Sequence, residues 1–489
     1  MKRVLNMVAV TCIGLVLTLT VLVPALRAQD WQPISKEDLA LKDNPTKPGA
    51  HAMILYRENN VDNQSSTVSQ YIRIKIFTEE GKKRGDVEIP FVKGYYDIHN
   101  VRARTIHPDG SIVNFDGKVF EKEVYKSGGF KFLVKAFSLP EVQAGSIIEY
   151  KYVEQHNTDY YVAPEWVLQK ELFTRYAKFS FKTDTQESFS RLFWRNYLIP
   201  PNLQPKEQSN GTLVMEVHDL PGLEEEEYML PRRVLESRVQ FFYRSPDDPD
   251  KEPPDKYWKR IGKQWNDFVE HFMNRKGALE SEVNQTVAPN DSAETKLRKI
   301  YARVQKIRNT AYDIQKTEKE QKRENLKENE NVEDVLKRGY GTGRQINRVF
   351  AGLARAAGFD AGIVYVADRN NTLFYPQMED PSELDADVVW VRVGNQDVYL
   401  DPAARYYPYG LLPWSETGVK GLRLDKQGGD FITTPDPNIA DTRLERHADL
   451  NLDADGNLSA KLPLTTLDSR LVSGGQKSAR MTMPARRRT

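Results

Sequence analysis

Polar and apolar residues alternate through the first third of the chain. Ser69, Tyr71, Arg73, Lys75 and Phe77 interleave with Gln70, Ile72, Ile74 and Ile76, a period of two that predicts a half-buried strand. The alternation returns from Ser146 to Val153, and turn residues punctuate it at Glu80-Gly81, Pro108-Asp109-Gly110 and Asp116-Gly117. Shorter runs follow at Phe179 to Lys182, Phe193 to Leu198 and Thr212 to Val217. Many short strands separated by turns predict a β-sandwich over residues 29–245. After a Pro- and Asp-rich linker at 245–255 the period changes to that of a helix. Tyr257, Trp258, Ile261, Trp265, Phe268 and Phe272 form one stripe; Ile346, Val349, Phe350, Leu353, Ala354 and Ala357 form a second. Gly358 stands where a left-handed cap would close that second helix, and Ile363 to Val366 reads as buried strand. A hairpin is expected from Asp387 to Val393 and Val398 to Pro402, turning at Gly394-Asn395-Gln396-Asp397.

Charged residues make up 28% of the chain and hydrophobic ones 39%, a balance that fits globular folds. At a formal net charge of +1 there is no electrostatic case for nucleic acid. Residues 1–28 read as a secretory signal: Lys2-Arg3, an apolar run from Val8 to Leu26, then Ala28. Cleavage predicts a periplasmic or secreted protein; retention would leave a membrane anchor, the sole membrane contact expected. The single cysteine, Cys12, lies in that run, so the mature chain would hold neither a disulfide nor a thiol. No H-E-x-x-H, paired C-x-x-C or G-x-S-x-G is present, and no metal or cofactor is expected. Asn451 to Gly456 imitates the start of a calcium loop, but Leu462 occupies the position that needs a glutamate, and the flanking alternation predicts a hairpin. Lys316 to Asn331 is a mixed-charge block expected to be solvated, and residues 438–489 read as a partial β hairpin followed by a disordered basic tail.

The stretch Tyr340 to Val366 resembles the bacterial transglutaminase-like superfamily. Gly341 takes the family glycine, Ala356-Ala357-Gly358 the A-A-G that ends the helix, and Asp401, before Pro402, the family aspartate. In that register the nucleophilic cysteine falls on Gly343 and the histidine on Val388, or on Asp387 if the register slips by one. No histidine occurs between His271 and His447. The region before it resembles the domain of unknown function 3857, which precedes transglutaminase-like domains in exported bacterial proteins; phrases such as Val101 to Phe115 and Leu139 to Tyr152 carry this likeness. The resemblance implies an α+β multidomain protein: an N-terminal β-sandwich, a transglutaminase-like (cysteine-protease-like) α+β domain at 256–430, and an incomplete C-terminal β segment.

Family members are cysteine enzymes acting on peptide or amide bonds. A thiolate at a helix N-terminus is stabilised by unpaired N–H groups and activated by a nearby base. Glycine and valine supply neither thiol nor base, so the vestigial positions Gly343, Val388 and Asp401 predict no catalysis. The expected role is binding of peptide, protein or cell-envelope polymer in the remaining cleft. Thr342 and Arg344 at the helix entry, and Tyr406, Tyr407 and Trp414 after Asp401, are the candidate binding residues. Two alternatives remain: an enzyme using Thr342 as nucleophile, and a purely structural envelope protein.

Overall fold

The computed structural model describes residues 31–127, 130–157, 163–183, 191–244, 248–249, 252–313, 324, 326–436, 444–446, 449–454, 458–461 and 464–466. The expected signal segment with Cys12, most of the charged block and the expected basic tail fall outside them.

The N-terminal half is built on an eight-stranded sheet. Its central strands are Ala52–Asp62, Thr67–Ile76 and Ile147–His156; Thr174–Lys182 joins Ala52–Asp62 in parallel, and the other pairs are antiparallel. Two three-stranded sheets lie side by side on one face of this platform. Asp86–Lys93, Phe130–Ser138 and Phe120–Ser127 cover Ile54, Ile74 and Ile148; Glu165–Val167, Arg191–Tyr197 and Arg238–Arg244 cover Val61, Phe179 and Met215. The layout is a sandwich whose covering layer is split.

The opposite face of the platform is covered too, and it buries charged residues beside apolar ones. Residues 31–41, with the short helix Lys36–Ala40, lie across it and set Ile34, Leu39 and Leu41 against Met53, Leu55 and Ile147. Beneath them Glu149, fully buried, accepts from Arg73, from Arg104 at 2.6 Å and from the Tyr71 hydroxyl at 2.6 Å. Two guanidiniums and one phenol satisfy a carboxylate that would be costly to bury alone.

In the second half, the helix Gly343–Ala356 forms the centre. Ile346, Val349, Phe350, Leu353 and Ala354 are buried, as the spacing predicts, and Asn347, Arg348, Ala351 and Gly352 are buried too. The helix is therefore enclosed on nearly every side, between a five-stranded antiparallel sheet and the helices Pro254–Met273, Lys276–Thr286, Ala293–Val304 and Val332–Arg338. Thr342 caps it: its hydroxyl accepts from the Gln345 N–H, while Gln345 Oε1 accepts from the Thr342 N–H at 3.0 Å. Gly358 follows in the left-handed conformation at φ +95°. Sheet order is Gln396–Leu400, Ala386–Val393, Ala361–Val366, Lys420–Arg423, Asp430–Thr433. In Pro254–Met273 the buried stripe is rotated from the expected one: Phe268 is exposed, with the Arg348 guanidinium 4.9 Å over its ring, and Asn266 and Val269 take inner positions. Gly262 permits the closest approach, since a Cβ there would lie 1.8 Å from the Gly428 carbonyl oxygen. Asp449–Leu452 pairs with Leu458–Lys461 as a hairpin.

The two halves meet at the loop 376–384. Arg195 donates to the Met378 and Glu379 carbonyls, Arg244 pairs with Glu379 at 2.7 Å, and the Tyr197 hydroxyl donates to Asp380 at 3.0 Å.

Candidate functional site

At the N-terminus of the central helix Gly343 is half-buried. A Cβ built there would sit 3.6 Å from Asn309 Nδ2 and 3.7 Å from Ala403 Cβ, ordinary contact distances, so the backbone leaves room for a side chain that the sequence does not supply. Asn309 Nδ2 donates to the Ala403 carbonyl at 3.1 Å and closes this side of the site.

Across from the helix the sheet presents Asp387, not Val388. Val388 packs with Val364, Val366 and Leu412 on the far face of the sheet, whereas Asp387 pairs with Tyr365 on the face toward the helix. Of the two registers for the family histidine, it is therefore Asp387, the one-residue slip, and not Val388 that lies on the face toward the helix. Both faces of this strand are buried, so alternation of polar and apolar residues does not reveal which side meets the helix. Asp387 Oδ1 lies 4.0 Å from Arg344 Nε, and its Oδ2 is buried without a hydrogen-bond partner.

Asp401 takes its place beside Asp387. The Ala403 N–H donates to Asp401 Oδ1 at 3.0 Å and to Asn347 Oδ1 at 3.2 Å, and Asn347 Nδ2 donates to the Asp387 carbonyl at 2.9 Å. Asn347 thus ties both acidic strand ends to the helix. Glu416, from the loop beyond, is buried as well, with Oε2 unpartnered.

Loss of hydration dominates the electrostatics of this cluster. Burial pushes the Asp401 carboxyl up to about 7, and repulsion from Asp387 adds to it. Burial raises Asp387 to about 6, held lower by the Arg344 and Arg348 guanidiniums. Glu416 is pushed well above the usual carboxylate range by burial and then by Asp401 and Asp387. Burial therefore favours the protonated form across this cluster, with the two guanidiniums opposing it at Asp387. Among the described residues no group of His, Cys, Asp and Glu is arranged to hold a metal ion.

Of the candidate binding residues, the Thr342 hydroxyl is committed to the helix cap. Arg344 is exposed at the mouth: Nη2 donates to the Asp385 carbonyl at 3.0 Å, and the guanidinium lies 5.1 Å over the Tyr365 ring. It lines a cavity of about 330 Å³ together with Trp265, Tyr365, Pro381, Ser382, Leu384 and Asp385. Tyr406, Tyr407 and Trp414 do not line this cavity. Tyr407 is buried, and its carbonyl accepts from the Tyr301 hydroxyl at 3.0 Å and from Gln305 at 2.7 Å. Tyr406 is exposed beside Arg405, and Trp414 is half-buried under Arg369, 4.1 Å away. Asn347 and Glu416 escaped the sequence reading. A polar residue next to Ile346 in a helix with apolar neighbours at every turn was the available signal for Asn347; Glu416 had none.

Comparison with known proteins fits this geometry. Residues 62–224 match the family model described as a domain of unknown function with a solved structure, DUF3857. Residues 281–401 match that of the transglutaminase-like superfamily. The crystal structure of a candidate protease from Parabacteroides distasonis ATCC 8503 aligns over 80% of this chain and 72% of that one, at 15% identity and a TM-score of 0.52, and shows the same architecture. Legionella pneumophila aminopeptidase A in complex with aspartic acid aligns over 47% of this chain and 28% of that one, at 10% identity and a TM-score of 0.21, a value from which nothing follows. No curated protein matches the chain.

Proposed function

We propose that this chain, a DUF3857 domain followed by a transglutaminase-like core, is a non-catalytic exported protein that holds a peptide or cell-envelope polymer at the mouth of the emptied site. The observation that carries the reading is that the helix begins at Gly343 and the strand face turned toward the helix presents Asp387. A cysteine mechanism needs a thiolate and a base with a pKa near the working pH. Here the helix offers no side-chain atom, and the facing group is a carboxyl. Thr342, the alternative nucleophile, spends its hydroxyl on the Gln345 N–H. The cavity beside it remains, with Trp265 and Tyr365 as apolar walls and one exposed guanidinium, a combination suited to an extended chain bearing carboxylates. Export rests on residues 1–28 alone.

The test is a calorimetric titration of the purified mature chain with acidic envelope-type peptides. Saturable binding is expected, weakened roughly tenfold or more by Arg344→Ala, the loss of one charge-assisted contact. Release of ammonia or a cut peptide, abolished by Thr342→Ala, would overturn the reading.

A further inference from the structure

The junction between the two halves buries two carboxyls of one loop. Asp380 and Glu383, both from the loop 376–384, are each 2% exposed. The sandwich meets them with Tyr197 and Arg238, both buried. Asp380 Oδ1 accepts from the Ser382 N–H at 3.0 Å and from the Ser382 hydroxyl at 2.7 Å, and Oδ2 accepts from the Tyr197 hydroxyl at 3.0 Å. Glu383 is less well served. Its Oε2 accepts from the Tyr375 N–H at 2.8 Å, and its Oε1 is buried with no hydrogen-bond partner.

The cations around these carboxyls are engaged elsewhere. Glu165 takes Arg233, from the short helix Arg232–Leu235, at 2.8 Å and Arg238 at 3.0 Å. Arg244 pairs with Glu379, and Arg195 donates to the Met378 and Glu379 carbonyls. The Tyr197 hydroxyl faces both carboxyls but has one proton to donate, and Asp380 receives it. With both carboxyls ionised, one of them stands away from water without a donor, which is unfavourable. A proton on Glu383 removes the deficit, because a carboxyl donates as well as accepts. The electrostatics agree with this count. Asp380 is held below the usual carboxylate range: burial opposes this, but Arg195, Ser382 and Tyr197 outweigh it. Burial pushes Glu383 up to about 7 against the Tyr375 N–H, and the charge on Asp380 adds to the rise, with Tyr197 and Arg238 opposing it.

We propose that Glu383 is a proton-operated latch: with its proton it keeps the loop 376–384 docked on the sandwich, and without it two carboxylates compete for one hydroxyl and the loop loosens. The same loop supplies Pro381, Ser382 and Leu384 to the wall of the cavity beside Arg344. Loosening the loop therefore moves one side of that cavity, so that acid keeps the mouth set and alkali frees it. As a control on ligand capture the inference rests on the binding reading above; the movement of the loop does not.

The experiment is hydrogen exchange of the full mature chain at pH 6 and pH 8, read by mass spectrometry over residues 375–385 and corrected for the intrinsic pH dependence of exchange. A glutamate outside the junction titrates at roughly 4.3. For a carboxyl raised above that value, preference for the docked loop is complete below it and is lost as pH rises through about 7. From pH 6 to pH 8 the open fraction of the loop in the native chain should therefore rise about tenfold. Glu383→Gln keeps the shape of the protonated side chain, with an amide that can donate, and should show no such step. Equal protection of the native loop at the two pH values, or the same step in Glu383→Gln, would each overturn the inference. Titration with the acidic peptides separates it from the binding reading. A chain that shows the step but binds no peptide keeps the latch and loses that reading; one that binds peptide and shows no step loses the latch alone.

Discussion

Replacing Asp401 by asparagine tests the buried carboxyl cluster with a change of one atom. Asp401 is 7% exposed, and its carboxyl is raised to about 7 against roughly 3.9 in an unfolded chain. For a group whose pKa is raised on folding, the stability it permits is fully present below the unfolded value and is lost as pH climbs through the folded one. At 1.36 kcal/mol per unit the complete loss is roughly 4 kcal/mol, and on the order of 2–3 kcal/mol of it develops between pH 5 and pH 8. The asparagine cannot ionise, and its carbonyl oxygen can still accept the Ala403 N–H now bound at 3.0 Å. Asp401→Asn should therefore flatten the decline in stability over this interval and leave the variant more stable than the native chain at pH 8. With about 2–4 °C per kcal/mol for a unit of this size, the gain in Tm at pH 8 relative to pH 5 is about 5–10 °C. Differential scanning calorimetry of both proteins at the two pH values reads it directly. Parallel pH dependence in variant and native chain would refute the claim that Asp401 carries a proton in the folded state.

Two further substitutions probe other parts of the molecule. Gly343→Cys should fold, because the added Cβ meets only ordinary contacts, and the reduced freedom of the unfolded chain should raise stability by about 0.4–1 kcal/mol; its thiol should be alkylated by iodoacetamide while peptide-amide turnover stays at background, since Asp387 stands where a base would be needed. Glu149→Gln removes the carboxylate shared by Arg73 and Arg104 and should destabilise the N-terminal half by about 3–5 kcal/mol in urea unfolding, as stranded buried charges do.

The elements of the fold were largely legible in the pattern of residues. The stripe from Ile346 to Ala357 marks the central helix, and the alternation around Ile72 and Ile74 marks the platform strand. What the pattern hid were polar residues on buried faces. Arg73, Lys75 and Glu149 read as solvent-facing, yet they lie under residues 31–41. Asp387 and Val388 show the same limit at the site: periodicity assigns faces only when one of them meets water, and from Asp387 to Val391 this strand meets none. Phe268 fails in the other direction, because the Arg348 guanidinium provides the cover that the core does not.

The loop 376–384 is held by Arg195, Tyr197 and Arg244 of the sandwich, and its own residues Pro381, Ser382 and Leu384, with Asp385 after them, wall the cavity beside Arg344. That cavity is thus a joint possession. Cutting the chain between the halves would remove the partners that fix one bank of the groove, so the upstream domain serves the mouth as a brace.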